Sequence, residues 1–431
     1  MPEVEFTIRW ADGSRFDGHS PSRAIERWVV EGGVYPRAEL VRRVQIALRE
    51  ASERNREVCG FGGTEAAEAS VAFTAAAAGD PDEPAVVQRL ARGAQALRYP
   101  PPRRFGGHVD VVVIGGGHAG LSISWHLRSR SVDHVVLERG ALAGAWRSQR
   151  WDAFRTLTPN WQCRLPGHPY PGQDPDGFMA RDEIVEHLES YAESFNVPLC
   201  EGVAVNDVRA DAGGGFIVTT GRGRLHCDQL VLAVGAHQHP RIPALAAGLA
   251  PAITQLTPAT YRNPTSPPDG AVLVVGAGQS GVEIAEDLMR AGRDVHLSVG
   301  SATAHDLASL TADGLHRHGR LTASDGEVLR FAGPPADELD LRAAGIRTVV
   351  WATGFRADWS WVKLPLLDGD ECPAHERGIS TQVPGLYLLG LPWERARASS
   401  SFDEVAFDAE HIAGTIAERV YFPAGPYELR R

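Results

Sequence analysis

The residues best suited to chemistry form a glycine-rich turn, Gly115-Gly116-Gly117-His118-Ala119-Gly120. The turn follows the apolar run 109–114 and precedes a helical pattern, and a second apolar run then ends at Glu138. Glycines at this spacing allow a tight turn, let a pyrophosphate approach the backbone and let the helix pack closely. The helix N-terminus offers free N–H groups to phosphate, and a carboxylate can accept hydrogen bonds from a ribose diol. The pattern predicts a dinucleotide site that includes Gly115, Gly117, His118, Ala119, Gly120, Glu138 and Arg139.

A second turn of the same form, Gly276-Ala277-Gly278-Gln279-Ser280-Gly281, follows the apolar run 271–275. It predicts a second dinucleotide, whereas a relict unit that binds nothing is the alternative. No acid ends the strand pattern at 295–299, so a 2′-phosphate meets no repulsion there. We therefore expect FAD at the first turn and NADPH at the second. The residues predicted to bind at the second turn are Gly276, Gly278, Gln279, Ser280 and Gly281.

The composition excludes several other classes of function. The net charge of −11 over 431 residues gives no basic footprint for nucleic acid. No signal peptide and no apolar run of membrane-spanning length are evident, which favours a cytoplasmic protein. The five cysteines are scattered, which argues against a disulfide framework, a zinc site or the paired redox cysteines of disulfide reductases. No histidine pair at i, i+4 has a carboxylate nearby, and His316 and His318 are interpreted as solvated or core-edge residues, so no metal is predicted.

The elements that must position these turns divide the chain into parts. Residues 1–95 combine an alternating strand pattern with two helical patterns, which predicts a small α+β module that docks a partner. Residues 96–107 are proline-rich and read as a linker. From there strands and helices alternate, which predicts an α/β fold with two Rossmann-type units. The FAD-binding domain is assigned to residues 108–269 and 356–431, and the NAD(P)-binding domain to residues 270–355.

Several further segments resemble those of the flavin-containing monooxygenases and the Baeyer–Villiger monooxygenases. The segment 144–147 corresponds to their tryptophan segment after the first acid, and 352–355 corresponds to their A-T-G linker strand. The segment 233–235 is similar to the parallel linker strand, and 384–390 is similar to the C-terminal flavin-binding strand. The resemblance covers residues 108–425 in order. It implies that cofactor contacts are also made by Trp146, Arg147, Val205, Ala233, Gly235, Ala352, Thr353, Gly354 and Gly390.

The resemblance also implies a reaction. NADPH would reduce FAD, oxygen would form a flavin C4a-(hydro)peroxide, and a small nitrogen- or sulfur-containing metabolite would be oxygenated. Asn160 occupies the position of an asparagine beside the flavin and is the candidate catalytic residue, with a simple turn residue after Pro159 as the alternative. A flavin-dependent oxidase or dehydrogenase without a stable peroxide stays open, as does a flavin-bearing scaffold.

Some segments resemble one particular subfamily, whereas others depart from the family pattern. Segments 151–152, 158–162, 165–170 and 390–393 resemble a bacterial flavoprotein subfamily whose genes accompany a nitrilase cluster. Residues 1–95 resemble a small nitrogen-starvation-response protein of the same clusters, which implies nitrogen metabolism. A homo-oligomer, or a pathway partner bound through residues 1–95, stays open. The family's H-S-x-x-Y pattern is replaced here by 257–261, and the interval from Gly281 to Ala352 is short, both on the nicotinamide side.

Overall fold

The computed structural model divides into two compact units, Met1–Arg104 with Ser190–Cys200 and Phe105–Glu189 with Glu201–Arg431. It describes residues 4–20, 25, 28–59, 64–92, 105–300, 307–333, 337–368, 372–392, 395 and 399–422.

The N-terminal unit is an antiparallel sheet with two helices. Its strands run in the order β2-β1-β4-β3, and Val4, Phe6 and Ile8 of the first strand lie in its core together with Leu40 and Val44 of the first helix. The two helices and the first strand follow the sequence patterns closely, whereas the other strands carry weaker alternation. The elements are β1 (Val4–Arg9), β2 (Arg15–Ser20), β3 (Val34–Pro36), α1 (Arg37–Cys59), α2 (Thr64–Ala76) and β4 (Pro84–Arg92).

The first glycine turn lies at the carboxyl edge of a mainly parallel sheet. The sheet includes, in order, β21-β22-β23-β10-β5-β6, and β8 and β9 extend from β10 as an antiparallel meander. The run 111–114 in its centre is buried, as expected for a parallel strand covered on both faces. The elements are β5 (His108–Ile114), α3 (His118–Ser129), β6 (His134–Leu137), α4 (Gly144–Ser148), α5 (Arg181–Ser194), β7 (Leu199–Cys200), β8 (Val205–Ala210), β9 (Phe216–Thr220), β10 (Gly223–Leu232), β21 (His375–Glu376), β22 (Ile379–Ser380), β23 (Leu386–Leu388) and α8 (Phe402–Tyr421).

The second glycine turn lies in a separate parallel sheet with the order β12-β19-β13-β14-β15. Alternate residues of its central strand face two different cores, with Val272 and Val274 on one side and Leu273 and Val275 on the other. A small antiparallel sheet, β16-β17-β18, follows the edge strand. The elements are β12 (Thr254–Leu256), β13 (Ala271–Val275), α6 (Gln279–Arg290), β14 (Val295–Ser298), α7 (Ala308–Ala312), β15 (His316–His318), β16 (Arg320–Asp325), β17 (Val328–Ala332), β18 (Asp337–Asp340) and β19 (Ile346–Trp351).

Two short strands connect the parallel sheets. The chain leaves the first sheet through β11 (His239–Pro240) and returns through β20 (Phe355–Arg356). These strands pair in antiparallel register, with His239 opposite Arg356 and Pro240 opposite Phe355. Both crossings therefore pass through one hydrogen-bonded ribbon. Among the described helices, none combines the length and the apolar character that crossing a membrane requires.

Candidate functional site

The first glycine turn has a backbone that only glycine fits at two of its positions. Gly115 has a φ of +110°, and a Cβ there would lie 2.4 Å from the carbonyl oxygen of Ala233. A Cβ at Gly120 would lie 1.8 Å from the carbonyl oxygen of Gly115. At Gly117, by contrast, an added Cβ meets nothing within 4 Å. The outer face of the turn is therefore open, as a cradle for a pyrophosphate requires.

The helix behind this turn presents its N-terminus to the open side. α3 starts at His118, and the preceding Gly117 is extended and has no side chain to cap the first N–H groups. The ring of His118 instead faces the C-terminal helix: its Nε2 lies 3.0 Å from the carbonyl oxygen of Ser400, and it packs on Phe402 with ring centroids 4.8 Å apart. Burial lowers the pKa of His118 despite that backbone bond. A neutral His118 thus joins the turn to α8 and leaves the helix N–H groups available.

Glu138 closes the turn from the next strand. Its Oε2 accepts a 2.8 Å hydrogen bond from the N–H of Gly116, and its Oε1 accepts a 2.9 Å bond from the N–H of Gly140. A carboxylate has about four acceptor positions, so two remain for a ribose diol. The acid therefore both shapes the glycine turn and offers acceptors to a nucleotide.

A cavity of about 380 Å³ opens in front of this turn. The cavity is bordered by the turn, by the end of β6, by α4 and by the segments that lead into the ribbon. The predicted residues that line it are Gly115, Gly117, His118, Ala119, Glu138, Arg139, Trp146, Val205, Ala233, Gly235 and Gly390. Lining residues that the sequence analysis did not single out include Gln149, Arg150, His237, Gln238, His239, Asp358 and Trp361.

Two arginines near the cavity have different surroundings. Arg147, a predicted cofactor ligand, is not a lining residue and pairs instead with the buried carboxylate of Glu189. Arg150 does line the cavity, and its guanidinium lies over the rings of Trp146 and Phe154 at 5.1 and 5.5 Å. Burial lowers the pKa of Arg150, with the charge of Glu283 opposing. Arg150 lies three residues beyond Arg147, just past the tryptophan segment 144–147.

Asn160 is buried, and it is not among the cavity-lining residues. It begins a short 3₁₀ turn, and its side-chain Nδ2 donates a 2.8 Å bond to the carbonyl oxygen of Asp174. The backbone N–H of Asn160 also donates to the carbonyl of Gly177. Its Oδ1 is buried with no hydrogen-bond partner in the described residues. The side chain therefore ties two parts of a loop together and keeps one free acceptor, while its catalytic role stays a prediction.

The second glycine turn repeats the geometry of the first. Gly276 has a φ of +111°, and a Cβ there would lie 2.4 Å from the carbonyl oxygen of Ala352. A Cβ at Gly281 would lie 1.9 Å from the carbonyl oxygen of Gly276, whereas one at Gly278 would meet nothing within 4 Å. Each turn thus packs on the end of a neighbouring strand that leads into the ribbon, at Ala233 and at Ala352.

The residue that follows the neighbouring strand is charged beside the first glycine turn and uncharged beside the second. Gly115 bonds to the carbonyl of Leu137 and Gly276 to that of Ser298, so Val299 occupies the position equivalent to Glu138. Val299 is buried and apolar. No carboxylate stands at that position to repel a 2′-phosphate.

The remaining predicted residues around the second glycine turn lie outside the cavity. Gln279 begins α6 and bonds to Glu283, and the Thr353 hydroxyl donates to the carbonyl of Arg241. Gly354 has a φ of +92° and leads into β20. The predicted residues away from the cavity are Gly120, Arg147, Asn160, Gly276, Gly278, Gln279, Ser280, Gly281, Ala352, Thr353 and Gly354.

The segment that departs from the family pattern has a structural role. The backbone N–H groups of Thr260 and Tyr261 both bond to the carbonyl of Thr257, which makes a compact turn. Tyr261 is fully buried, and its hydroxyl donates a 2.7 Å bond to Asp287 of α6. Burial and the Asp287 carboxylate raise the pKa of the tyrosine. This turn therefore anchors the helix that follows the second glycine turn.

Two separate stretches of the chain match known protein families. Residues 112–332 match the pyridine nucleotide-disulphide oxidoreductase family Pyr_redox_3, and residues 5–90 match NitG, a nitrogen starvation-induced protein. A CzcO-like oxidoreductase of Geobacillus kaustophilus is 32% identical over 72% of this chain and 98% of its own length. The indole-3-pyruvate monooxygenase YUCCA1 of Oryza sativa is 33% identical over 42% of this chain and 45% of its own length.

Solved structures share the fold. A flavin-containing monooxygenase from Stenotrophomonas maltophilia superposes with a TM-score of 0.63 at 23% identity, over 73% of this chain and 99% of its own. The bacillithiol disulfide reductase Bdr from Bacillus cereus gives 0.62 at 18% identity, over 72% and 99%. The OTEMO complex with FAD and NADP gives 0.55 at 12% identity, over 73% and 86%. Monooxygenases and a reductase thus share this architecture, so the fold alone does not select the reaction.

These findings confirm the predicted α/β fold class, the oxidoreductase class and the family resemblance. The pyridine nucleotide in the family's description supports the predicted nicotinamide dinucleotide, and in the OTEMO complex the same fold holds FAD and NADP. The resemblance of the N-terminal module to a nitrogen-starvation protein is confirmed as well. The chain belongs to the pyridine nucleotide-disulphide oxidoreductase family, with a NitG domain at its N-terminal side.

Proposed function

We propose that this protein is an FAD-dependent monooxygenase that uses NADPH to oxygenate a small nitrogen- or sulfur-containing metabolite. The observation that carries the proposal is the contrast between the two turns. They have the same backbone, but Glu138 follows the strand beside one and Val299 follows the strand beside the other. One site therefore suits an adenosine with a free ribose diol, and the other accepts a ribose 2′-phosphate.

The residues around the cavity fit FAD. The open face at Gly117 receives the pyrophosphate, the N–H groups of α3 neutralise part of its charge, and Glu138 accepts from the ribose. Trp146, which packs on Phe402 with centroids 5.9 Å apart, supplies an apolar wall. When bound, FAD supplies the redox chemistry, which is reduction by NADPH and activation of oxygen.

The chain's own residues would then orient the reactants and limit access of water. Arg150, held over Trp146, places a positive charge at the cavity wall for an anionic group of NADPH or of the substrate. The free Oδ1 of Asn160 provides a neutral polar atom in a buried loop. The relative YUCCA1, an indole-3-pyruvate monooxygenase, supports oxygenation as the reaction class for this chain.

Rapid mixing tests the proposal directly. The protein should be reduced by NADPH without oxygen, faster than by NADH. The reduced protein should then react with oxygen through a transient absorbing species before the oxidised flavin spectrum returns. Direct return to oxidised flavin with stoichiometric hydrogen peroxide would support the oxidase alternative, and very slow reaction with oxygen would support a dehydrogenase.

The proposed function also assigns a role to each part of the chain. We assign FAD to residues 108–269 and 356–431 and NADPH to residues 270–355, with 1–95 as a docking module for a protein of nitrogen metabolism. The NitG match of residues 5–90 supports that role. A chain without a functional flavin site that still binds its partner would favour the scaffold alternative.

A further inference from the structure

A histidine and aspartate cluster lies on the second parallel sheet, apart from the residues that line the cavity. His296 of β14 and His316 of the edge strand β15 are direct register partners, so their side chains share one face. Their rings stack with centroids 4.5 Å apart. Asp294, two residues before His296, lies on the same face, and its Oδ1 is 3.1 Å from Nε2 of His316. One ligand atom from each of the three residues lies within 4.8 Å of the others.

One ring nitrogen of His296 is already fixed by its neighbours. Its Nδ1 lies 2.9 Å from Nε2 of His318, and Nδ1 of His318 lies 2.6 Å from a carboxylate oxygen of Asp337. The other ring nitrogen of His296, Nε2, is therefore the one that can coordinate an ion. A second imidazole and a carboxylate that orient a ligand histidine in this way are typical of metal sites.

From this geometry we propose that Asp294, His296 and His316 form a binding site for a divalent transition-metal ion of the zinc class. Two imidazole nitrogens and one carboxylate oxygen are a donor set that such ions prefer. Two ligands of a tetrahedral ion with bonds of about 2.0 Å are separated by roughly 3.3 Å, close to the Asp294–His316 distance.

The exposure of the three ligand side chains determines how an ion reaches the site. The side chains of Asp294 and His316 are each 55% exposed, whereas His296 is buried. An ion therefore enters from solvent, and water completes its coordination. Because β15 contains only residues 316–318 and lies at the sheet edge, the ion links this strand to β14. A histidine pair at i, i+4 on a helix is not present at this site, since its ligands come from two neighbouring strands and the residue before one of them.

The test uses the full-length flavoprotein, free of any affinity tag and of bound metal, in a Cys372→Ser background that removes an exposed thiol. Co²⁺ is added, its absorption is recorded beyond the flavin bands, and Zn²⁺ is then used to displace it. We expect one ion per chain with an intense, tetrahedral Co²⁺ spectrum. Equilibrium dialysis gives the stoichiometry independently.

Variants assign the ion to these residues. His316→Ala and Asp294→Asn change exposed side chains and should each abolish saturable binding, while His318→Phe should weaken it about 10–100-fold. His108→Ala is the matched control, because His108 pairs with Asp228 at 2.9 Å beside Asp110 in the first sheet. It should leave binding unchanged. Absence of saturable binding, binding that survives His316→Ala, or loss in His108→Ala instead would each overturn the proposal.

Discussion

Replacement of Glu138 by alanine should weaken FAD binding strongly without unfolding the protein. The carboxylate accepts bonds from the N–H groups of Gly116 and Gly140 and keeps acceptors for the two ribose hydroxyls. Each hydrogen bond to a charged group contributes about 1.5–3 kcal/mol. Because Glu138 is only partly buried, we take the lower limit for each of two ribose bonds, which totals about 3 kcal/mol. That corresponds to an approximately 100-fold higher dissociation constant.

Flavin-free protein titrated with FAD, followed by flavin fluorescence, measures this constant. Glu138→Gln keeps one acceptor oxygen and should lose only about tenfold. Val299→Ala changes the equivalent position in the second unit and is the matched control, with FAD affinity unchanged. A Glu138→Ala constant within about threefold of wild type, less than about 0.7 kcal/mol, would refute the assignment of the adenosine ribose to Glu138.

Other changes separate the two nucleotide sites and the loops around them. Gly281→Ala should abolish reduction by NADPH but keep the flavin reducible by dithionite, because its Cβ would lie 1.9 Å from a backbone oxygen of the second turn only; loss of flavin would contradict this. Asn160→Ala should keep FAD and hydride transfer but raise the share of NADPH that ends as hydrogen peroxide, because Nδ2 bonds to Asp174 with one N–H and keeps a second N–H for a developing anion, a contribution of roughly 10²-fold in rate; unchanged coupling would leave it a turn residue. Burial lowers the pKa of His126 and of His134 to about 4, so the folded state stays unprotonated at these rings while the unfolded chain binds protons below about pH 6.5. Stability should therefore fall between about pH 6.5 and 4, by about 2 kcal/mol per histidine at pH 5, and urea unfolding of His134→Gln should show a shallower dependence.

The sequence predicted the nucleotide turns because they are local. Gly115, Gly120 and Glu138 lie within one strand–helix–strand segment, and the backbone oxygens that exclude side chains there come from the same segment or its neighbouring strand. The two main helices of the N-terminal module were predicted for a similar reason, since the apolar periodicity of one and the alanine-rich composition of the other are each contained in one stretch of chain.

The rest of the site depends on contacts between distant segments of the chain, which the apolar periodicity of the sequence does not reveal. Arg147 and Arg150 carry the same charge three residues apart, but Arg147 lies in α4 and pairs with Glu189, whereas Arg150 follows the end of α4 and lines the cavity. Asp358 and Trp361 reach the cavity through the return strand of the ribbon. The His296–His316 pair depends on the register between β14 and β15, which no local sequence pattern determines.

The ribbon of β11 and β20 has a consequence for how this architecture can be rearranged. Because the chain enters and leaves the second nucleotide unit through paired antiparallel strands, its two ends lie about 5 Å apart. Such an insertion can be exchanged for another unit, or closed by a tight turn, with little loop-closure entropy. The chain between the two strands of the ribbon is also held by a separate clasp, in which the N–H of Asp152 donates to the carbonyl of Arg262 and Asn263 donates to the Asp152 carboxylate. Exchange of the nicotinamide unit would therefore have to preserve that clasp. The ribbon would then be the junction at which a unit with a different nucleotide specificity is joined to the chain.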